Sequence, residues 1–140
     1  MIRIIKDFIK KFGFDKGFNT REKLSFAIDL IEEEVRELRI AFDNNDPEEI
    51  VDALGDILWL VLKLMIQLGI SPFIVIKEIG RSNMEKIRGV KPGREQSAGF
   101  DVIKPVQEHV DKGLAEKVWT APNHSGNWGK LAAIIVNGKK

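Results

Sequence analysis

The chain has 140 residues, room for one domain with a sizeable core, and 44% of them are hydrophobic, which excludes a disordered segment. Its 22 basic and 21 acidic residues leave a formal charge of +1, so no broad electrostatic pull toward nucleic acid or an anionic membrane is expected. Cysteine is absent, which excludes disulfides and thiolate metal sites; a cytoplasmic location is the expectation.

Four helices are readable in chain order. The first is expected over Ile2–Phe12, with Ile5, Phe8, Ile9 and Phe12 on one face and Gly13 as its stop. This segment lacks a small-residue cleavage site and reads as an amphipathic core helix rather than a secretory signal. After the loop Phe14–Asn19, Asn19 and Glu22 have the spacing of a capping box. The second helix then runs to about Asn44, with Leu24, Ala27, Ile28, Ile31, Val35, Leu38 and Phe42 as its core stripe. Asp46-Pro47-Glu48-Glu49 opens the third helix with a cap, a proline at the first helical position and acids in the first turn.

The third helix reaches Leu68 and stops at Gly69. It is apolar nearly all round except for one stripe, Glu49, Asp52, Asp56, Trp59 and Lys63, and such a helix must be surrounded by protein. Its apolar run Ile57–Leu68 falls well short of the roughly twenty residues a membrane span needs. Ser71-Pro72 caps a fourth helix, expected to reach Arg88. Beyond Gly89 frequent glycines and prolines break the pattern. A helix near Val106–Val118 and a short strand or tail at Leu131–Val136 are the expectations there. The fold class is therefore all-α: a four-helix-bundle core over residues 1–88 and an irregular C-terminal arm or lid over 89–140, part of the same domain.

Two acid clusters carry the chemistry. Glu33, Glu34 and Glu37 lie on the second helix, with Glu34 and Glu37 about 60° apart and Glu33 and Glu37 about 40° apart at the helical period. Asp52 and Asp56 on the third helix are also about 40° apart, and Glu49 shares their stripe. Like charges at these spacings weaken a helix unless something offsets them. A hard divalent cation does so through carboxylate oxygens, and salt bridges to Lys or Arg are the bland alternative. A ferritin-like di-iron centre would need Glu-x-x-His pairs, but His109 and His124 both lie outside the four helices. An oxygen-only Mg²⁺ or Mn²⁺ site is therefore favoured over redox iron. Lys63 sits on the acid stripe and either meets substrate or pairs with Asp56 or Glu37. Trp59 either stacks on a base or packs in the core. Trp119, His124 and Trp128 in the arm are candidates to close over a base.

Three segments occur in order: Glu33-Glu34-Val35-Arg36-Glu37-Leu38; Glu49-Ile50-Val51-Asp52-Ala53-Leu54-Gly55-Asp56-Ile57-Leu58-Trp59; and Arg81-Ser82-Asn83-Met84-Glu85-Lys86. Together they resemble the all-α nucleoside triphosphate pyrophosphohydrolases, the MazG-like group that includes phosphoribosyl-ATP pyrophosphohydrolases and dimeric dUTPases. Asp7-Phe8 to Phe12-Gly13 is similar to the first helix of phage and bacterial members, so the likeness covers residues 2–88, with a weaker echo at Ile103-Lys104-Pro105.

The resemblance implies hydrolysis of the α–β phosphoanhydride of a nucleotide to the monophosphate and pyrophosphate, supported by Mg²⁺, in a homodimer or homotetramer. It implies that Glu34 and Glu37 are metal ligands and that Glu33 orients or deprotonates the attacking water. The second motif aligns in two ways. Matching Gly55-Asp56 puts Ala53 where many members have glutamate, whereas matching Glu49 to Asp52 keeps both acids one turn earlier. Asp52 and Asp56 are taken as ligands, with Glu49 beside them. Arg81 and Lys86 are expected to meet phosphate, and Asn83 phosphate or sugar. Two other readings stand beside this one: a phosphoribosyl-ATP pyrophosphohydrolase of histidine biosynthesis, and a non-catalytic helical dimerisation module whose acids form salt bridges.

Overall fold

A computed structural model describes residues 1–14, 16–84, 88–89, 101–102, 131 and 133–135. The chain is all-α in architecture, with α1 at Ile2–Lys11, α2 at Arg21–Asp43, α3 at Pro47–Gln67 and α4 at Pro72–Met84. Two compact units divide it: Met1–Pro72 with Asn123–Lys140, and Phe73–Pro122.

In the first unit α3 is the central element, packed against α2 along its length and against α1. Burial of Ile5, Ile9 and Leu62, flanked by Ile2, Trp59 and Ile66, joins α1 to α3. An aromatic chain extends this core. The Phe8 ring meets Trp59 edge-on at 5.2 Å between centroids and Phe14 at 5.8 Å. Such pairs add about 0.5–1.5 kcal/mol beyond area burial. They tie the loop after α1 to the middle of α3.

Local chemistry explains the helix ends. Phe12 caps α1 and Gly13 follows at φ 69°, a left-handed turn that favours glycine. The start of α2 differs from the expected capping box by one residue. Thr20, extended at φ −117° and ψ 155°, accepts from the Lys23 amide at 3.2 Å, while the Asn19 amide donates to the Gly17 carbonyl at 3.0 Å. Both residues are good caps, and the backbone conformation decides between them. Asp46 does cap α3, accepting from the Glu49 amide at 3.1 Å, with Pro47 in the first turn.

Three further expectations need correction. α4 ends at Met84, short of Arg88, because Arg88–Gly89 pairs antiparallel with Asp101–Val102. Leu131 and Ala133–Ile135 are helical rather than a strand, and Ile134 is buried. The third correction concerns the core stripe expected on α2, and on α3 too the apolar surface is not enclosed within one chain. Val51 is 70% exposed, Leu54 51% and Leu58 50%, and on α2 Val35 and Phe42 of the expected core stripe are also exposed. The expected helix at Val106–Val118 lies outside the described residues. No single helix among the described residues is long and apolar enough to cross a membrane.

Candidate active site

The acids of α2 and α3 meet around Glu34. Its carboxyl is held above the ordinary value of 4.5 by burial first, then by the charges of Glu37 and Asp56, a hydrogen bond with Glu37, and the charge of Glu33. Burial disfavours the ionised form, and each neighbouring carboxylate adds repulsion. Glu34 Oε2 is shut off from solvent and, among the described residues, finds no hydrogen-bond partner. An oxygen in that position carries a penalty of about 1–3 kcal/mol, more when charged.

The structure thus brings together Glu33, Glu34 and Glu37 of α2 with Asp56 of α3. Asp52 and Glu49 are exposed, one and two turns nearer the start of α3. The Glu49 amide serves the Asp46 cap. Among the described residues no three His, Asp or Glu side chains are drawn close enough to hold a metal ion as they stand. The acids share one field without forming a closed coordination sphere. The fit to a divalent cation rests on Glu34 Oε2, a hard oxygen donor turned inward beside three more carboxylates, the donor set such ions prefer.

Other expected residues lie elsewhere. Trp59 is half-buried against Phe8 and the Ile5–Ile9–Leu62 core. Lys63 pairs with neither Asp56 nor Glu37; its Nζ stands 4.5 Å from the centre of the Phe14 ring, and burial pushes its ammonium down. The reason is geometric. Lys63 lies two turns along α3 from Asp56, about 10 Å at the helical rise, beside the loop after α1. On α4, described by itself, Arg81 is exposed and forms an ion pair with Glu78 through Nε at 3.1 Å and through Nη2. Asn83 is exposed on the same helix. Lys86, Trp119, His124 and Trp128 lie outside the described residues.

A half-open cavity of about 410 Å³ surrounds Lys63. Its walls include Phe14 and Phe18 of the loop, Phe26, Ala27 and Leu30 of α2, and Gln67 of α3. The buried Gln67 donates from Nε2 to the Phe14 carbonyl at 2.9 Å and so pins the loop to α3. On the other side the Lys23 ammonium donates to the carbonyl of Gly17, a residue at φ 70°. Sequence reasoning did not single out this cavity. Its one signal was Gln67, the next position after Asp56, Trp59 and Lys63 on the polar stripe of an apolar helix.

Glu34 faces Asp56 on one level, and Ala27 shares the cavity with Lys63 on another. The order runs forward on α3 and backward on α2, so the helices are antiparallel and both features lie along the seam between them. The acids occupy its middle, and the cavity lies two turns further toward the loop.

The family model described as phosphoribosyl-ATP pyrophosphohydrolase matches residues 6–83, from within α1 to the last turn of α4. No curated protein and no solved structure gives a match. The matched span covers over half of the chain and includes every acid around Glu34. The chain therefore belongs to the phosphoribosyl-ATP pyrophosphohydrolase family, within the MazG-like all-α superfamily, and is a nucleotide pyrophosphohydrolase acting on an acid anhydride.

Proposed function

We propose that the chain hydrolyses the α–β phosphoanhydride of a nucleoside triphosphate or related nucleotide, releasing the monophosphate and pyrophosphate. The observation that carries this reading is the inward-facing, unpartnered Glu34 Oε2 in the field of Glu37, Asp56 and Glu33. A triphosphate approaches such a cluster only when cations neutralise both sides. Glu34, Glu37 and Asp56 would hold Mg²⁺ or Mn²⁺, with Asp52 and Glu49 in reach of a second ion at the open end of the stripe. When bound, the cation supplies charge neutralisation at phosphate and an acidified water. Glu33, exposed beside Glu34 on α2, would accept a proton from the attacking water. The cavity beside Lys63 takes the nucleoside, since it lies about one nucleoside's length from the acids along the groove.

Phosphoribosyl-ATP, the compound in the family's description, stands beside the common triphosphates as a second substrate. The non-catalytic module falls away with family membership. Pyrophosphate release from a panel of (d)NTPs and phosphoribosyl-ATP, with Mg²⁺ or Mn²⁺ added, tests the reading. No release from any of them would defeat it.

The working unit is a homodimer or homotetramer. Val51, Leu54, Leu58 and Val61 form one exposed apolar row on α3, at spacings of three and four residues, and such a row is covered by another helix when two copies associate. Leu58→Lys should therefore lower the mass seen by light scattering. An unchanged mass would remove this face from the interface.

A further inference from the structure

Lys63 has a setting that the acid cluster does not explain. It lines a cavity whose volume of about 410 Å³ falls in the ordinary range for small-ligand sites. The surrounding wall is mostly aromatic and aliphatic, and among the described residues no carboxylate lies within ion-pair distance of its ammonium. Lys23, one of its neighbours around the cavity, is engaged by the Gly17 carbonyl. Lys16 and Glu22 also line the wall, and among the described residues the contact made by the Lys63 ammonium is with the face of Phe14, 4.5 Å from the ring centre.

We propose that Lys63 is the specificity-determining residue at the nucleoside end of the groove, donating to an oxygen acceptor on the far edge of the substrate's base. This rests on the reading that the chain turns over nucleotides at the Glu34 cluster. An ammonium offers three donors and no acceptor, so it rewards an oxygen at that edge and penalises an amino group. The oxygen belongs either to a keto group of the base or to a phosphate carried at the base end. Burial already pushes the Lys63 ammonium down, and an oxygen ligand replaces the water it lacks. Gln67 keeps Phe14, and with it the cavity wall, in place around the ammonium.

Calorimetry with nucleoside monophosphates tests this without any metal. Uridine and cytidine 5′-monophosphates differ at one edge by oxygen against amino, as do the guanosine and adenosine pair. Wild type should favour the keto member of at least one pair about tenfold, the size of one charge-assisted hydrogen bond. Lys63→Met should lose that preference, and Lys63→Arg should keep it. In turnover the Met variant should raise KM for the favoured nucleotide and leave kcat little changed. If the oxygen is a phosphate, wild type instead favours phosphoribosyl-ATP over ATP, and Lys63→Met removes that preference. A thermal melt of each variant separates lost selectivity from lost folding, and Lys63→Gln, whose amide both donates and accepts and so should lose the preference, carries the test where Met unfolds the chain. Turnover with identical ratios in wild type and Lys63→Met, or no discrimination in wild type, overturns the role of Lys63 alone. No turnover of any nucleotide by wild type defeats the broader reading as well.

Discussion

The acid end and the lysine end of the α2–α3 groove are built from the same two helices, yet their physics is opposite. Around Glu34 the charges of Glu33, Glu37 and Asp56 share one field and one oxygen is sealed from solvent. Around Lys63 the wall is largely apolar and the ammonium stands over an aromatic face. The first arrangement calls for a cation and the second for a flat ligand with an oxygen at its edge. A nucleotide held by its phosphates at one end and its base at the other meets both demands. On the proposed reading, most of the binding selectivity belongs to one end and the bond cleavage to the other.

Substitutions should separate the two ends. The largest effect is expected from Glu37→Ala and Asp56→Ala. Calorimetric affinity for Mn²⁺ should fall more than about 100-fold, since loss of even an outer-sphere partner costs 10–100-fold. Nucleoside monophosphate binding should change little. Equal losses at both ends would dissolve the distinction. Next is Gln67→Leu, which strips the Phe14 carbonyl of its donor. A stability loss of about 1–3 kcal/mol is expected in denaturant titration. Monophosphate binding should weaken and Mn²⁺ affinity should hold. An unchanged monophosphate affinity would disconnect the loop from the cavity.

The smallest effect concerns Glu34 and pH. Its carboxyl titrates above the ordinary 4.5, so the folded chain holds a proton that the unfolded chain has released. Below 4.5 both states are protonated and the group contributes nothing. Between 4.5 and the folded value only the unfolded chain has released the proton, so stability falls across that window, and the penalty is complete above it and persists to neutrality. Metal-free protein should therefore lose a little thermal stability over this window, and Glu34→Gln should flatten the slope. A wild-type melting profile in chelator with no such slope would argue against the buried setting of Oε2.

The sequence made the acid end legible because its signal is local. Like charges at helical spacing put Glu33, Glu34 and Glu37 on α2 and Glu49, Asp52 and Asp56 on one stripe of α3, but periodicity does not say that Asp56 is the member of that stripe whose charge reaches Glu34. The lysine end depends on a contact between Gln67 and Phe14, 53 residues apart, and no local rule predicts it. The same limit explains the ends that shifted. Asn19 and Thr20 are both capable caps, and Leu131–Val136 is a short apolar run that periodicity does not assign to helix or strand. Uniform apolarity says that α3 needs cover but not whether the cover comes from the same chain, and its exposed row shows that the single chain does not supply all of it.

Only Asn44, Asn45 and Asp46 separate α2 from α3, with Asn45 in a left-handed turn at φ 54°. That short hairpin acts as a ruler. One extra residue in the following helix would rotate Asp56 by about 100° and carry it off the line that faces Glu34. The connector therefore sets the register of α3 against α2, and with it which α3 acid is turned toward Glu34.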